Sequence, residues 1–392
     1  MYKSIYIPVK ANKADIVYLF QTRRLSAEVW NLCVQLDKSN RKETGKSLTM
    51  SEIQKLTKKC VGLHAKGIHH VSHKYLFARD AMFRSRESGV ERVRLPYKNK
   101  RYFNTGWDYQ SIKIDYDKGI IFLARQSSIV DGKVKRNPRV KCYARTIPKN
   151  IVEIELTHKG KLMLCIKYKE EDYLEVKREN EASIDLGEIH AITSMCNNKN
   201  GVIITGRKIR EIKHLRNNNL SVLRSKRSKC TKGSRQYRKY SRAIAKLQVK
   251  TDTRVNDCVH KVSKQYLDFC LTNNIGKVYY GDLDSATRST KQNNKGNNHV
   301  RQKLSQWNYG ELMRQVENKL TRHGIKLEKV KEYYTSQKCP QCKTLNKVHN
   351  REYKCSCGYK QHRDIVGAIN ILNDNGGYSI VRYETKLYLQ IA

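Results

Sequence analysis

The chain has 392 residues, and 79 Lys+Arg against 36 Asp+Glu give it a formal net charge of +43. That length allows two or three domains with a large core, and so large an imbalance raises self-repulsion without helping folding, which points to a polyanionic partner. Basic residues run from Lys3 to Lys386 and form no juxtamembrane block, which favours nucleic acid over a membrane surface, and no apolar run nears the roughly 20 residues of a membrane span.

In chain order, residues 1–10 alternate as a β-strand, and Met1 to Pro8 does not read as a signal peptide. Residues 14–94 are helical in pattern. Ile16, Leu19 and Phe20 share a helical face, followed by Leu25, Val29, Leu32 and Leu36, and a second stretch runs from His70 to Arg86. Leu95-Pro96 closes this region. Residues 97–180 change to short alternating runs at Ser111–Asp115, Ile120–Leu123, Val152–Leu156 and Leu162–Ile166. Asp117-Lys118-Gly119 and His158-Lys159-Gly160 are turn signals between them. This reads as a small antiparallel barrel or sheet that the strand at 1–10 would complete, making the helical region an insertion.

From Ala182 the pattern becomes α/β. Ser183–Gly187 and Ala191–Met195 suggest a hairpin, and 207–271 form a long basic helical region. Ile275–Tyr280 reads as a buried strand, 289–300 as a polar mobile loop, Tyr309–His323 as a helix and Ile325–Val330 as a further strand. No internal repeat is evident. Within the basic region Arg224, Lys226, Arg235, Arg238, Lys239 and Arg242 are candidates for phosphate contact; the plainer reading is a solvated charged face.

Eight of the twelve cysteines are scattered singly, as at Cys33, Cys165 and Cys270, and read as reduced, packed thiols of an intracellular protein. The other four form two pairs, Cys339/Cys342 and Cys355/Cys357, twelve residues apart. Two thiolate pairs on tight turns can close a tetrahedral Cys₄ zinc ribbon, and full thiolate closure makes that zinc structural. The second pair, Cys-x-Cys, is one residue tighter than the usual knuckle.

Two carboxylates stand out. Asp185 ends an apolar strand, where it can project into the cleft beyond the sheet and ligate a hard divalent cation. Asp364 opens a helix of apolar pattern, Ile365, Ala368, Ile369 and Leu372, where an N-cap is the plainer reading. RNase H-type nucleases need at least three carboxylates to hold two Mg²⁺ ions for phosphodiester hydrolysis. A third is expected at the end of the strand Lys277–Leu283, beside the Asp185 strand.

The residues of the C-terminal half resemble the TnpB family of transposon-encoded proteins, related to the type V CRISPR effectors and to Fanzor. The matching elements are Ile184-Asp185-Leu186-Gly187, His260-Lys261, Tyr280-Gly281-Asp282-Leu283, Trp307, Tyr334 to Cys342, Tyr353 to Gly358, His362-Arg363-Asp364 and Gly367 to Ile371. The N-terminal half matches by architecture alone. The resemblance implies a mixed α/β and β multidomain chain. A wedge β-barrel would occupy 1–12 and 95–180, with a helical recognition domain at 13–94. An RNase H-like RuvC nuclease domain would occupy 181–334 and 359–375, with the zinc ribbon inserted at 335–358 and a tail at 376–392.

The implied activity is Mg²⁺-dependent, RNA-guided cleavage of double-stranded target DNA beside a short adjacent motif. Its cofactors would be structural Zn²⁺, two catalytic Mg²⁺ and a guide RNA from the transposon end. The expected protein is a cytoplasmic, nucleoid-associated monomer without a membrane partner. The Lys- and Asn-rich composition with only 5 Pro suggests an AT-rich bacterial or phage genome.

The chain departs from the family where Gly281 stands in place of the usual Glu. A branch of the family has Gly there and a Glu just before Tyr-Thr-Ser, which here is Glu332. The expected catalytic carboxylates are therefore Asp185, Glu332 and Asp364, with Asp282 as the alternative third. The competing reading is a nuclease-inactive, RNA-guided DNA-binding repressor. Transposase chemistry is weaker still, because no Tyr or Ser recombinase constellation is evident.

Overall fold

Alternation at the N-terminus does produce a strand, β1 (Tyr2–Pro8), and its partner lies far along the chain. It pairs antiparallel with β9 (Leu162–Lys169), from Tyr2 opposite Lys169 to Pro8 opposite Met163. The computed structural model describes residues 2–90, 92–130, 133–170, 177–281, 309–330, 334–348 and 350–391. Two compact units result, 1–171 and 172–392. The boundary thus falls slightly earlier than the 180/181 junction expected from sequence.

In the first unit three helices interrupt the β-structure: α1 (Lys13–Thr44), α2 (Met50–Leu56) and α3 (Ala65–Glu87). Asn12 caps α1 by accepting from the Asp15 N–H, and Thr49 with Glu52 closes a capping box on α2. The helices share a core of Val29, Trp30, Cys33, Ile53, Ile68, Val71 and Tyr75. Strands β2 (Thr105–Asp108), β3 (Ile112–Asp115), β4 (Ile120–Leu123), β5 (Ser128–Val130), β6 (Lys133–Lys135), β7 (Val140–Tyr143) and β8 (Ile151–His158) follow.

Two antiparallel sheets, ordered β1-β9-β8-β2 and β3-β4-β7, pack on one core of Trp107, Ile121, Leu123, Val140, Ile154 and Leu164. The strand at the N-terminus joins this β-structure as the pattern suggested, and the helices are its insertion. Among the described residues no strand pairing links the two sheets into a closed ring. On the β8 surface Glu153 is held by His70 at 2.6 Å and Lys167 at 2.5 Å, and Glu155 by Lys74 at 2.6 Å.

The second unit is built on a six-stranded sheet. Its strands are β10 (Asn180–Asp185), β11 (His190–Cys196), β12 (Asn200–Thr205), β13 (Ile275–Gly281), β14 (Lys326–Val330) and β17 (Thr385–Leu389), in the order β14-β13-β10-β11-β12-β17. The hairpin expected at Asp185 forms, β10 against β11, while β10, β13 and β14 run parallel. The strand expected beside Val278–Tyr280 is indeed β14, with Tyr280 opposite Lys329.

The basic region forms two helices, α4 (Arg207–Ser228) and α5 (Arg235–Thr272), and α6 (Tyr309–Arg322) precedes β14. These cover one face of the sheet, burying Ala182, Ile184, Val278, Val259, Val262, Tyr266 and Val316. The helix α7 (Arg363–Gly376) covers the other, burying Met195, Ile203, Tyr279, Val330, Ile365 and Ile369. A short hairpin, β15 (Glu352–Lys354) and β16 (Lys360–His362), leads into α7. The segment set apart by sequence as a tail is not separate. Its β17 pairs parallel with β12, and Asn373 binds Ile380 through both its carbonyl and amide.

Candidate functional site

Strand parity decides where Asp185 points. Ala182 and Ile184 enter the core under α5, so Ser183 and Asp185 face α7. Ser183 Oγ donates to the Ala368 carbonyl at 2.6 Å. One residue earlier on α7, a Cβ built on Gly367 would lie 2.5 Å from Asp185 Oδ2, so only glycine lets the helix approach that carboxylate so closely. Gly187 meets a similar limit in the turn: a Cβ there would sit 2.8 Å from the His190 carbonyl. The Asp185-Leu186-Gly187 and Gly367-Ala368 pieces of sequence are thus two sides of one close contact.

Asp364 lies three residues before Gly367 on the same helical face, a rise of about 4.5 Å. Its Oδ2 is 2.9 Å from His190 Nδ1, 3.4 Å from an Arg351 guanidinium nitrogen and 3.9 Å from His362 Nδ1. Burial pushes the Asp364 carboxyl up, but the hydrogen bond with His190 and the charges of His362, His190 and Arg351 outweigh it, and the net shift is downward. It is therefore a carboxylate at neutral pH, whereas burial lowers the His362 pKa and disfavours its imidazolium. His190, His362 and Asp364 have ligand atoms within 4.8 Å of one another. The C-terminal ends of the three parallel strands β10, β13 and β14 lie at this same end of the sheet. Glu332 and Asp282 lie outside the described residues, as do Trp307 and the segment 289–300.

The four paired cysteines converge. Their sulfurs lie within 4.8 Å of one another, with Cys339 and Cys357 3.7 Å apart and Cys342 and Cys355 3.4 Å apart. Tetrahedral zinc with bonds near 2.3 Å would set sulfurs about 3.8 Å apart, so the donor set fits zinc. The first knuckle closes through Lys343 N–H to the Cys339 carbonyl, the second through Gly358 N–H to the Cys355 carbonyl. The Thr344 hydroxyl and backbone N–H hold the exposed Cys342 thiol down to about 6. Cys339, by contrast, packs with Tyr353, Tyr359 and Val366. Asn370 on α7 donates to the carbonyls of Thr335 and Lys338, both at 2.7 Å. The clasp and the helix bearing Asp364 are therefore one mechanical piece.

All six basic candidates, Arg224, Lys226, Arg235, Arg238, Lys239 and Arg242, are exposed on α4 and α5. Arg224 also lines a cleft of about 500 Å³ between these helices, with Arg216, Asn217, Leu220, Ser221, Gln248 and Asp252. The eight single cysteines are free thiols, six of them buried. Sequence reasoning missed His190 and Arg351 beside Asp364. Neither carries a local signal, since each reaches Asp364 only through the tertiary fold.

Two protein families match parts of the chain: "Cas12f1-like, TNB domain" over residues 309–371, and OrfB_IS605, "Probable transposase", over 164–287. Among curated proteins, the CRISPR-associated endodeoxyribonuclease Cas12f1 of an uncultured archaeon is 34% identical over 116 residues, 27% of this chain and 21% of that protein. The TnpB-like protein MJ0751 of Methanocaldococcus jannaschii is 29% identical over 196 residues, 49% of this chain and 68% of that protein. The matched stretches thus span from about a fifth to about two thirds of these relatives. In fold, the chain is similar to the Cas12f1 chain of a Cas12f1–sgRNA–target DNA complex, with a TM-score of 0.66, 16% identity, and 92% of this chain and 82% of that chain covered.

Proposed function

The chain is a relative of the TnpB-like and Cas12f1 proteins, and from that premise we propose that it is a RuvC-type, RNA-guided DNA endonuclease. The observation that carries the reading is the meeting of Asp185 with Gly367, one helical turn from Asp364. Two carboxylates at the C-terminal edge of parallel strands, one in a cradle that any Cβ would fill, fit a hard divalent cation. Two Mg²⁺ bound there would activate water and stabilise the leaving oxygen of a phosphodiester. Asp185 is the central ligand, and Asp364, held ionised by its neighbours, is the second.

Glu332 is the third. Val330 and Tyr279 face α7. Glu332 follows β14 by two residues in the sequence and is the carboxylate that the family resemblance assigns; it and Asp282, the alternative third, lie outside the described residues.

The remaining roles rest on the cysteine spacing, the charge pattern and the family resemblance. The four cysteines hold a structural zinc and the six basic residues on α4 and α5 hold nucleic-acid phosphates. Residues 1–12 and 95–180 supply the wedge function and 13–94 the recognition function, and the protein reads a short motif beside its target. A guide RNA from the element's end and double-stranded DNA are the partners.

The test is cleavage of a matched DNA by the guide-loaded protein in Mg²⁺. Asp185→Ala, Asp364→Ala and Glu332→Ala should each abolish cutting and leave guided binding intact, because binding draws on pairing and backbone contacts. Gly281→Glu should partly restore Glu332→Ala. Inactivity of Asp282→Ala beside normal cutting by Glu332→Ala would reassign the third ligand. Guided binding without any cutting by the unaltered protein would replace the nuclease with a repressor.

A further inference from the structure

We infer that His190 is a positioning residue for Asp364, and that the C-terminal strand β17 holds His190 in place. The inference rests on the nuclease reading, since it concerns the carboxylate assigned there to the cation. His190 is buried, its side chain 7% exposed, at the start of β11. Its ring contacts two others: Tyr388 of β17, edge-on at 6.0 Å and 90°, and His362, tilted at 4.9 Å and 59°. Tyr388 is itself placed by the ladder, opposite Ile203 of β12.

The contacts made to Asp364 are one-sided. Among the described residues His190, Arg351 and His362 all approach Oδ2. Nδ1–H of His190, at 2.9 Å, is the shortest of them and the only one from a buried group. A carboxylate whose one oxygen is fixed in this way has its plane set, and Oδ1 is left as the ligating atom. Fixing a ligand through a partner one shell further out is worth roughly 10–100-fold in metal affinity. Both family matches end before β17, at residues 371 and 287, so this support is supplied by sequence outside them.

Two substitutions separate the donor from the packing. His190→Phe keeps a ring against Tyr388 and His362 but has no donor. His190→Asn loses the ring but offers an amide N–H near the position of Nδ1. The readout is Mn²⁺ binding to the full chain, followed by electron paramagnetic resonance, with thermal melts as the control for folding. Asp364→Ala should remove one Mn²⁺ site. His190→Phe should weaken that site at least tenfold, His190→Asn should stay within about threefold of the unaltered protein, and Tyr388→Ala should weaken it a few-fold.

If Asp364→Ala changes nothing, Asp364 is no metal ligand, and both the nuclease assignment and the inference fall. If Asp364→Ala removes the site while His190→Phe binds normally, the inference alone is overturned. It is equally overturned if Phe binds better than Asn, because His190 would then act only by filling space.

Discussion

Gly367→Ala is the sharpest probe of the site, because it changes position and stability in different proportions. The new Cβ would start 2.5 Å from Asp185 Oδ2 and 3.1 Å from Cγ, against an ordinary contact of 3.4 Å or more, so the carboxylate must retreat by about 0.9 Å. Pushing a short side chain off its rotamer and overfilling a packed contact costs about 1–3 kcal/mol. Replacing a mid-helix glycine by alanine returns about 1 kcal/mol. The net loss of roughly 0–2 kcal/mol should move the melting transition by no more than about 8 °C. A reacting geometry displaced by about 1 Å, however, costs on the order of 100-fold in rate, about 2.7 kcal/mol in the barrier. The assay is guided cleavage under single turnover, with Gly310→Ala, which meets nothing within 4 Å, as the control. Cleavage by Gly367→Ala within about threefold of the unaltered rate would refute the placement of Asp185 in the reaction.

Purified protein should carry one zinc per chain, and Cys339→Ser, at the buried ligand, should open 335–362 to proteolysis while the first unit stays resistant. Metal analysis showing no zinc in a fully active protein would remove the clasp. Replacing Arg224, Lys226, Arg235, Arg238, Lys239 and Arg242 by Gln together should flatten the salt dependence of nucleic-acid binding by up to about 4–5 in the log–log slope; an unchanged slope would assign those residues to a solvated face. Hydrogen bonding with His70 and Lys167 holds Glu153 down to about 2, from an ordinary 4.5. Because the folded value is the depressed one, this stabilises the first unit fully above pH 4.5 and is lost as the pH falls toward 2, with a ceiling of about 3 kcal/mol. Glu153→Gln should therefore lower stability at pH 7 and flatten its pH dependence between those limits in acid melts, and a curve as steep as that of the unaltered protein would argue against it.

Local order was written in the residues themselves. The spacing of Cys339, Cys342, Cys355 and Cys357 within one short segment was enough to expect a clasp, since nearby turns can bring four thiolates together without help from the rest of the chain. The apolar-rich strand runs at Ile275–Tyr280 and Ile325–Val330 and the basic helices at 207–271 were legible for the same reason: a residue pattern depends on neighbours one turn or one pleat away. Tertiary structure decided which of these elements meet. The face that Asp185 presents followed from pairing β10 between β11 and β13, and its contact with Gly367 from seating α7 on that face. His190 and Arg351 reach Asp364 from 174 and 13 residues away in the chain. The apolar run Leu387-Tyr388-Leu389 of β17 was too short to mark a strand in the sequence; four of the five residues of β17 are exposed, and its place follows from backbone pairing with β12, which asks little of side-chain type. Backbone pairing between distant segments is governed by register and by what each face can bury, and both are properties of the assembled sheet.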